Sequence, residues 1–380
     1  MKTPRALAFA LVRAALLSAA LAVVVAPSVR ADLPNRIPDR DYWKLVEDLS
    51  EPNGFFRSEN LVSNEDTFQV VIPRVLTFVK PGGVYLGVGP DQNFTYIVAL
   101  QPRIAFIVDI RRGNLQEHLM YKALLELSLD RADFLSRLFS RPRPPGIGPA
   151  STADDLFNAY ATVEPSQNLF NDTRVAIGDL LMRKHGFPLS AEDIAGIDYV
   201  LGSFRSGGPY LSYAGIAVPP VGPAAYAPRG SRYPTYQDLQ TATDGEGLNR
   251  AYLGTEENYR TLKRFQERNL LVPIVGNFAG PKALRAVGDY VRSRGATVTA
   301  FYLSNVEQYL FGDGIWPDFA ENVARLPIDE SSTFIRSCFN NCQSPFPSRA
   351  VMQIDSMPRL LQDYREGRIR SYVDVLSHVR

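Results

Sequence analysis

Cysteine is scarce in this chain, with only Cys338 and Cys342, separated by Phe-Asn-Asn. Histidine is scarce too, and His118, His185 and His378 show no zinc spacing with the cysteines. No metal centre of thiolate and imidazole ligands is therefore expected. Charge of either sign is not in excess: 41 lysines and arginines face 40 aspartates and glutamates. That balance gives no global field toward nucleic acid or an anionic membrane. Basic residues interleaved with aromatics are scattered rather than clustered, which also speaks against nucleic acid. There is no Gly-x-Ser-x-Gly elbow, so a serine hydrolase of that type is excluded, and no lysine follows a glycine loop as a nucleotide-binding P-loop requires. A small-molecule or protein partner remains.

Long apolar runs are missing except at the start. There Lys2 and Arg5 precede a stretch from Ala6 to Ala26, followed by Pro27 and Val29-Arg30-Ala31. This pattern predicts a signal peptide over residues 1–31, cleaved after Ala31, and hence a periplasmic or secreted protein with no membrane attachment after cleavage. Arg13 interrupts the run and leaves about thirteen apolar residues where a span wants roughly twenty. The alternative is an uncleaved N-terminal membrane anchor. In an oxidising compartment Cys338 and Cys342 are expected to close a local disulfide.

What is present is ordinary globular material, 45% hydrophobic and 21% charged. Apolar spacing predicts helices over Asp41 to Leu49 and Thr67 to Val79. Val84 to Val88 and Ile104 to Val108 are short apolar runs, expected as buried parallel strands joined by a crossover helix over Asp91 to Leu100. A long amphipathic helix is expected from Asn114 to Phe139, then further helices over Ala153 to Tyr160, Asn171 to Lys184 and Ala191 to Leu201. Together they predict a helical insertion over about 114–201. Residues 202–236, rich in Gly, Pro, Tyr and Ser, predict either a disordered linker or a long functional loop, the tyrosines favouring an ordered loop. The α/β rhythm resumes with strands at Leu271 to Val275 and Thr297 to Leu303 around a helix over Pro281 to Ser293. Shorter strand candidates lie at Thr333 to Cys338 and Val351 to Ile354.

The chemistry concentrates at strand ends. Tyr85-Leu86-Gly87-Val88-Gly89 runs from a strand into a Gly-x-Gly turn and then a helix. Glycine allows a sharp turn and close approach of a ligand, and free N–H groups at a helix start attract polar or negative groups. Twenty residues after Gly89 the second strand ends in Asp109, where an acid can take both hydroxyls of a ribose. Gln92 stands where the dinucleotide fingerprint has its third glycine, which turns the expectation from NAD or FAD toward a nucleoside without a pyrophosphate. A plain tight turn, with Asp109 capping the next helix, is the alternative. Arg111 sits at the strand exit as a ligand contact or a surface ion pair. His118 is a candidate acid–base group or a polar helix-face residue. Asn277, after Leu271 to Val275, and Asn305, after Thr297 to Leu303, can bind a ligand or cap the helix that follows. Asp244-Gly245-Glu246-Gly247 is a hinge-like or plain exposed turn.

Tyr85 to Gly89 with Asp91-Gln92-Asn93, Phe106 to Arg112, Gly276 to Pro281 and Phe301 to Tyr309 together resemble an uncharacterised bacterial family whose fold is similar to class I S-adenosylmethionine-dependent methyltransferases. The resemblance implies a Rossmann-like, mostly parallel sheet in a single domain over residues 32–380. It implies S-adenosylmethionine as cofactor, with Gly87, Gly89, Gln92, Asn93, Asp109 and Arg111 around it. Asn277 would stand where such enzymes often end their fourth strand in Asp or Asn. Asn277, Asn305, Glu307 and His118 are the candidates for chemistry, and the acceptor is unspecified. The rival expectation is an exported binding protein that keeps the pocket without the reaction.

Overall fold

Six short runs form the strands, and the first four are almost fully buried and near-continuously apolar, the character of a sheet covered on both faces. They are β1 (Val84–Gly87), β2 (Ile104–Asp109), β3 (Leu271–Val275), β4 (Val298–Ser304), β5 (Thr333–Cys338) and β6 (Val351–Ser356). The computed structural model describes residues 32–213, 233–339, 342 and 350–379. The expected signal peptide therefore lies outside the described residues, as does most of the Gly/Pro/Tyr-rich loop.

The sheet order is β3-β2-β1-β4-β5-β6, parallel from β3 to β5, with β6 antiparallel at one edge. Connections run outward from β1 to one side and from β4 to the other. Such an order opens a crevice between the carboxyl ends of β1 and β4. Pro273 within β3 is tolerated because β3 is the opposite edge strand, where a missing N–H costs no interior ladder bond.

The third strand is thus Leu271–Val275, and the whole helical insertion lies between β2 and β3. This corrects the strand count: Asn277 follows the third strand, and the fourth ends at Ser304 and Asn305.

Helices also differ from expectation, among them Ala191–Gly207, which runs on past Leu201 into the expected loop. Asn114 to Phe139 is not one helix but Arg112–Leu127 and Arg131–Phe139. Ser128 Oγ donates to Leu124 O at 2.7 Å, and Asp130 caps the second helix by accepting from Asp133 N at 2.8 Å. These stop and start signals sit beneath an apolar period that Leu129, 83% exposed, prolongs by accident. Within Thr67 to Val79 only Ile72–Val75 is helical, with Pro73 in its first turn, and turns surround it. The helix Asp39–Leu49 forms as expected and stacks Tyr42 and Trp43 on Phe187 of the insertion.

The sheet's other end is held by an aromatic group, with Phe278, Phe301 and Phe319 in mutual ring contact and Phe334 against the last two. Each such fully buried side chain contributes roughly 1.5–3 kcal/mol. No described helix is long and apolar enough to cross a membrane.

Candidate functional site

The crevice between β1 and β4 is an open cleft of about 1000 Å³, part of it open solvent, and the exits of β1 to β4 all contribute to its wall. Gly87 is paired with Ile107, so two residues further on Gly89 and Asp109 reach the cleft side by side. Gly89 has φ +78°, a left-handed conformation that favours glycine.

The residues behind this turn hold its shape. Asn93 is fully buried and donates to Val88 O at 2.9 Å and Pro90 O at 2.8 Å, while accepting from Tyr85 Oη at 2.8 Å. A Cβ on Gly87 would lie 2.0 Å from Asn93 Oδ1, so this glycine makes room for the asparagine. Neither residue lines the cleft. His118 Nε2 donates to Gly89 O at 3.0 Å from the same buried side, with its ring edge-on to Phe94. Burial pushes its pKa down to about 4, so at neutral pH it is an uncharged prop of the turn rather than a group facing the cleft.

Asp109 is only 5% exposed and is already bonded. Arg111 N and Nε donate to its Oδ1 at 2.9 and 3.2 Å, and Nη2 to its Oδ2 at 3.3 Å. Arg111 also donates to Glu59 O. The carboxylate keeps lone pairs for a ligand, since its two oxygens offer about four acceptor sites.

Asn277 and Asn305 both line the cleft. Asn277 Oδ1 accepts from Ala279 N at 2.9 Å, and the nearby helix start at Lys282 and Ala283 is capped by Glu51, which accepts from both backbone N–H groups at 2.8 Å. Asn305 sits next to Ser304, which has φ +51°, a strained value for a serine at a strand exit. Glu307 lies elsewhere, ion-paired with Arg336 and accepting from Trp316 Nε1 at 3.2 Å. The Asp244 turn closes on itself: its carboxylate accepts from Glu246 N and Leu248 N and pairs with Arg250.

The main residue not anticipated is Glu65, from the irregular segment between the first helix and β1. It is 1% exposed and lines the cleft. Ser304 Oγ donates to its Oε1 at 2.5 Å and Tyr302 Oη to its Oε2 at 2.6 Å, while Gln92 Nε2 donates to Tyr302 Oη at 3.0 Å. Gln92 Oε1 is buried without a partner. No periodicity or motif marks Glu65; an acid within Val62-Ser63-Asn64-Glu65-Asp66 is read as solvated until the fold brings β4 against it.

The mouth is aromatic. Phe55 is 84% exposed, Phe56 meets Tyr309 edge-on at 5.1 Å, and Tyr213 stacks on Tyr233 at 5.5 Å. Among the described residues no lysine, arginine or histidine lines the cleft; Arg57 lies over the Tyr309 ring at 5.3 Å. The wall thus offers acceptors, hydroxyls, amides and rings. It suits a ligand rich in donors or carrying positive charge, and it lacks the cations that hold a pyrophosphate.

Among curated proteins none matches the chain. Residues 60–143 and 229–366 match a family described as a domain of unknown function, DUF7790, and these stretches carry Glu65, the Gly89 turn, Asp109, Asn277 and Ser304. They make up more than half of the sequence, and the chain belongs to that family.

Proposed function

We propose that the cleft binds a nucleoside without a pyrophosphate, with S-adenosylmethionine as the leading ligand, in a Rossmann-like, methyltransferase-like domain. The observation that carries this reading is the placement of Gly89 and Asp109 at the exits of neighbouring parallel strands, in a cleft that no described cation lines. Asp109 would hold the ribose hydroxyls and Gly89 would admit the ligand to the backbone. Gln92 Oε1 is a free acceptor nearby. The residues present fit a sulfonium nucleoside better than a polyphosphate. When bound, that cofactor supplies an electrophilic methyl group, and the protein's task is proximity and alignment. Asn277 and Asn305 are placed to orient an acceptor.

Two observations favour a second reading, an exported binding protein without transfer chemistry. Asp109 already has a guanidinium partner, and His118, a candidate acid–base group or helix-face residue, faces away from the cleft. Export itself is proposed from the charged start and apolar run of residues 1–31, and the bonded Cys338–Cys342 pair suits an oxidising compartment.

Calorimetry of the purified protein with S-adenosylmethionine and S-adenosylhomocysteine tests the ligand. Saturable heat with both is expected. Asp109→Asn should weaken each by about tenfold or more, as expected for loss of a charged acceptor. No heat with either ligand in a folded sample rejects the reading.

A further inference from the structure

Several buried acids in this fold, among them Glu307, Asp355 and Asp193, are matched by cations, whereas Glu65 has no such partner among the described residues. Its described side-chain hydrogen-bond partners are hydroxyls, those of Tyr302, Ser304 and Ser337, and no described lysine, arginine or histidine is ion-paired with it. Burial raises its pKa, opposed by hydrogen bonds from Ser304, Ser337 and Tyr302. A buried carboxylate without a counter-charge is costly unless a partner arrives or a proton stays. The same wall carries an acceptor without a hydrogen-bond partner, Gln92 Oε1, on a side chain 3% exposed that is tied to Glu65 through Tyr302. Aromatic rings stand at the mouth, where a cation on an apolar body gains from both.

We infer that Glu65, with Gln92 beside it, is a seat for an ammonium group, so that the cleft recognises an amine. This deepens the nucleoside reading of the same cleft and rests on it only for the source of the amine. Two sources share the chemistry: the amino-acid tail of the nucleoside itself, or a separate amine that shares the site. Glu65 also holds the strained Ser304 through its hydroxyl, so a purely structural role must be separated from a recognition role.

Benzylamine, benzyl alcohol and benzoate share one ring and differ in charge, and they are titrated by ligand-observed NMR against the wild-type protein and Glu65→Gln. The wild type is expected to bind benzylamine about tenfold more tightly than benzyl alcohol, from the stronger charge-assisted bond, and benzoate least. Glu65→Gln should remove the amine's advantage and leave the alcohol unchanged. An amine preference that survives Glu65→Gln, or benzoate binding as well as benzylamine, overturns the inference. Should the variant fail to fold, the wild-type order decides, since any order other than ammonium, alcohol, carboxylate contradicts an acidic seat.

S-adenosylhomocysteine and 5′-methylthioadenosine, which lacks the amino-acid tail, distinguish the sources. Glu65→Gln weakening only the former assigns the seat to the nucleoside's tail, and weakening neither while benzylamine loses affinity assigns it to a separate amine; both support an ammonium seat. No binding of either nucleoside rejects the nucleoside reading and leaves the benzylamine comparison to decide Glu65.

Discussion

Two regions of the molecule treat buried acids in opposite ways. At the flanks each acid has a cation. Glu307 and Asp355 share Arg336, all three side chains being 1% exposed, and Glu126 pairs with both Lys122 and His185, which also meets Asp39. There Glu126 is lowered to about 2; burial opposes this, but the hydrogen bond from His185 and the charge of Lys122 outweigh it. Around the glycine turn, Asp109 with its Arg111 apart, the buried acids have no ion-paired cation among the described residues. Glu65 is bonded by Tyr302 and Ser304. Asp91 accepts from Gln240 at 2.9 Å and is pushed up to about 7 by burial. Glu117, in the helix behind the turn, is raised well above the ordinary carboxylate range by burial. The flanks are closed by charge pairing and serve stability. In the centre burial pushes the carboxyls of Glu65, Asp91 and Glu117 upward, the environment in which a ligand or a proton changes most.

The largest test of this contrast is Arg336→Met. Removing the shared cation strands two buried carboxylates and should cost about 3–5 kcal/mol in urea unfolding. A loss below about 1 kcal/mol would mean that the flank is not held by charge, since that is what an exposed pair contributes.

Asp91 predicts a pH dependence of opposite origin. Its folded pKa is raised to about 7 from an ordinary 3.8. The unfolded chain therefore releases this proton first, so the group's contribution is intact at acid pH and is lost as pH rises from about 4 through about 7. Asp91→Asn keeps an acceptor for Gln240 and removes that slope. Relative to wild type it should gain on the order of 2–4 kcal/mol at pH 8 and little at pH 4, read as melting temperatures across the range. Equal slopes in both proteins would deny that Asp91 is buried uncharged.

The smallest expected effect is that of Glu65→Gln on stability. Glutamine keeps the size and one acceptor oxygen, so unfolding at neutral pH should change by no more than about 1 kcal/mol. A loss as large as that of Arg336→Met would make Glu65 a structural pillar like the flank acids.

Much of the sheet was legible because parallel strands buried on both faces are written as unbroken apolar runs, and Val84 to Gly87 and Ile104 to Asp109 are such runs. The glycine turn and Asp109 were legible for the same local reason: backbone freedom and strand-end position are sequence-near properties. The roles of Gly87, Asn93 and His118 were not, because whether a polar residue faces a cleft or props a turn depends on which side of the backbone it leaves. Glu65 was invisible because its partners, Tyr302 and Ser304, are more than 230 residues away. The break at Ser128 to Asp130 is hidden in the sequence because an exposed leucine keeps the apolar period going across two capping signals.

Hydrogen–deuterium exchange with and without S-adenosylhomocysteine tests the central claim most directly, because it locates the ligand as well as detecting it. Protection confined to the turn around residues 86–93, the β2 exit at 109–112 and the β4 exit at 304–308 is the predicted result. Protection elsewhere with these segments unchanged, or none at saturating ligand, would contradict it.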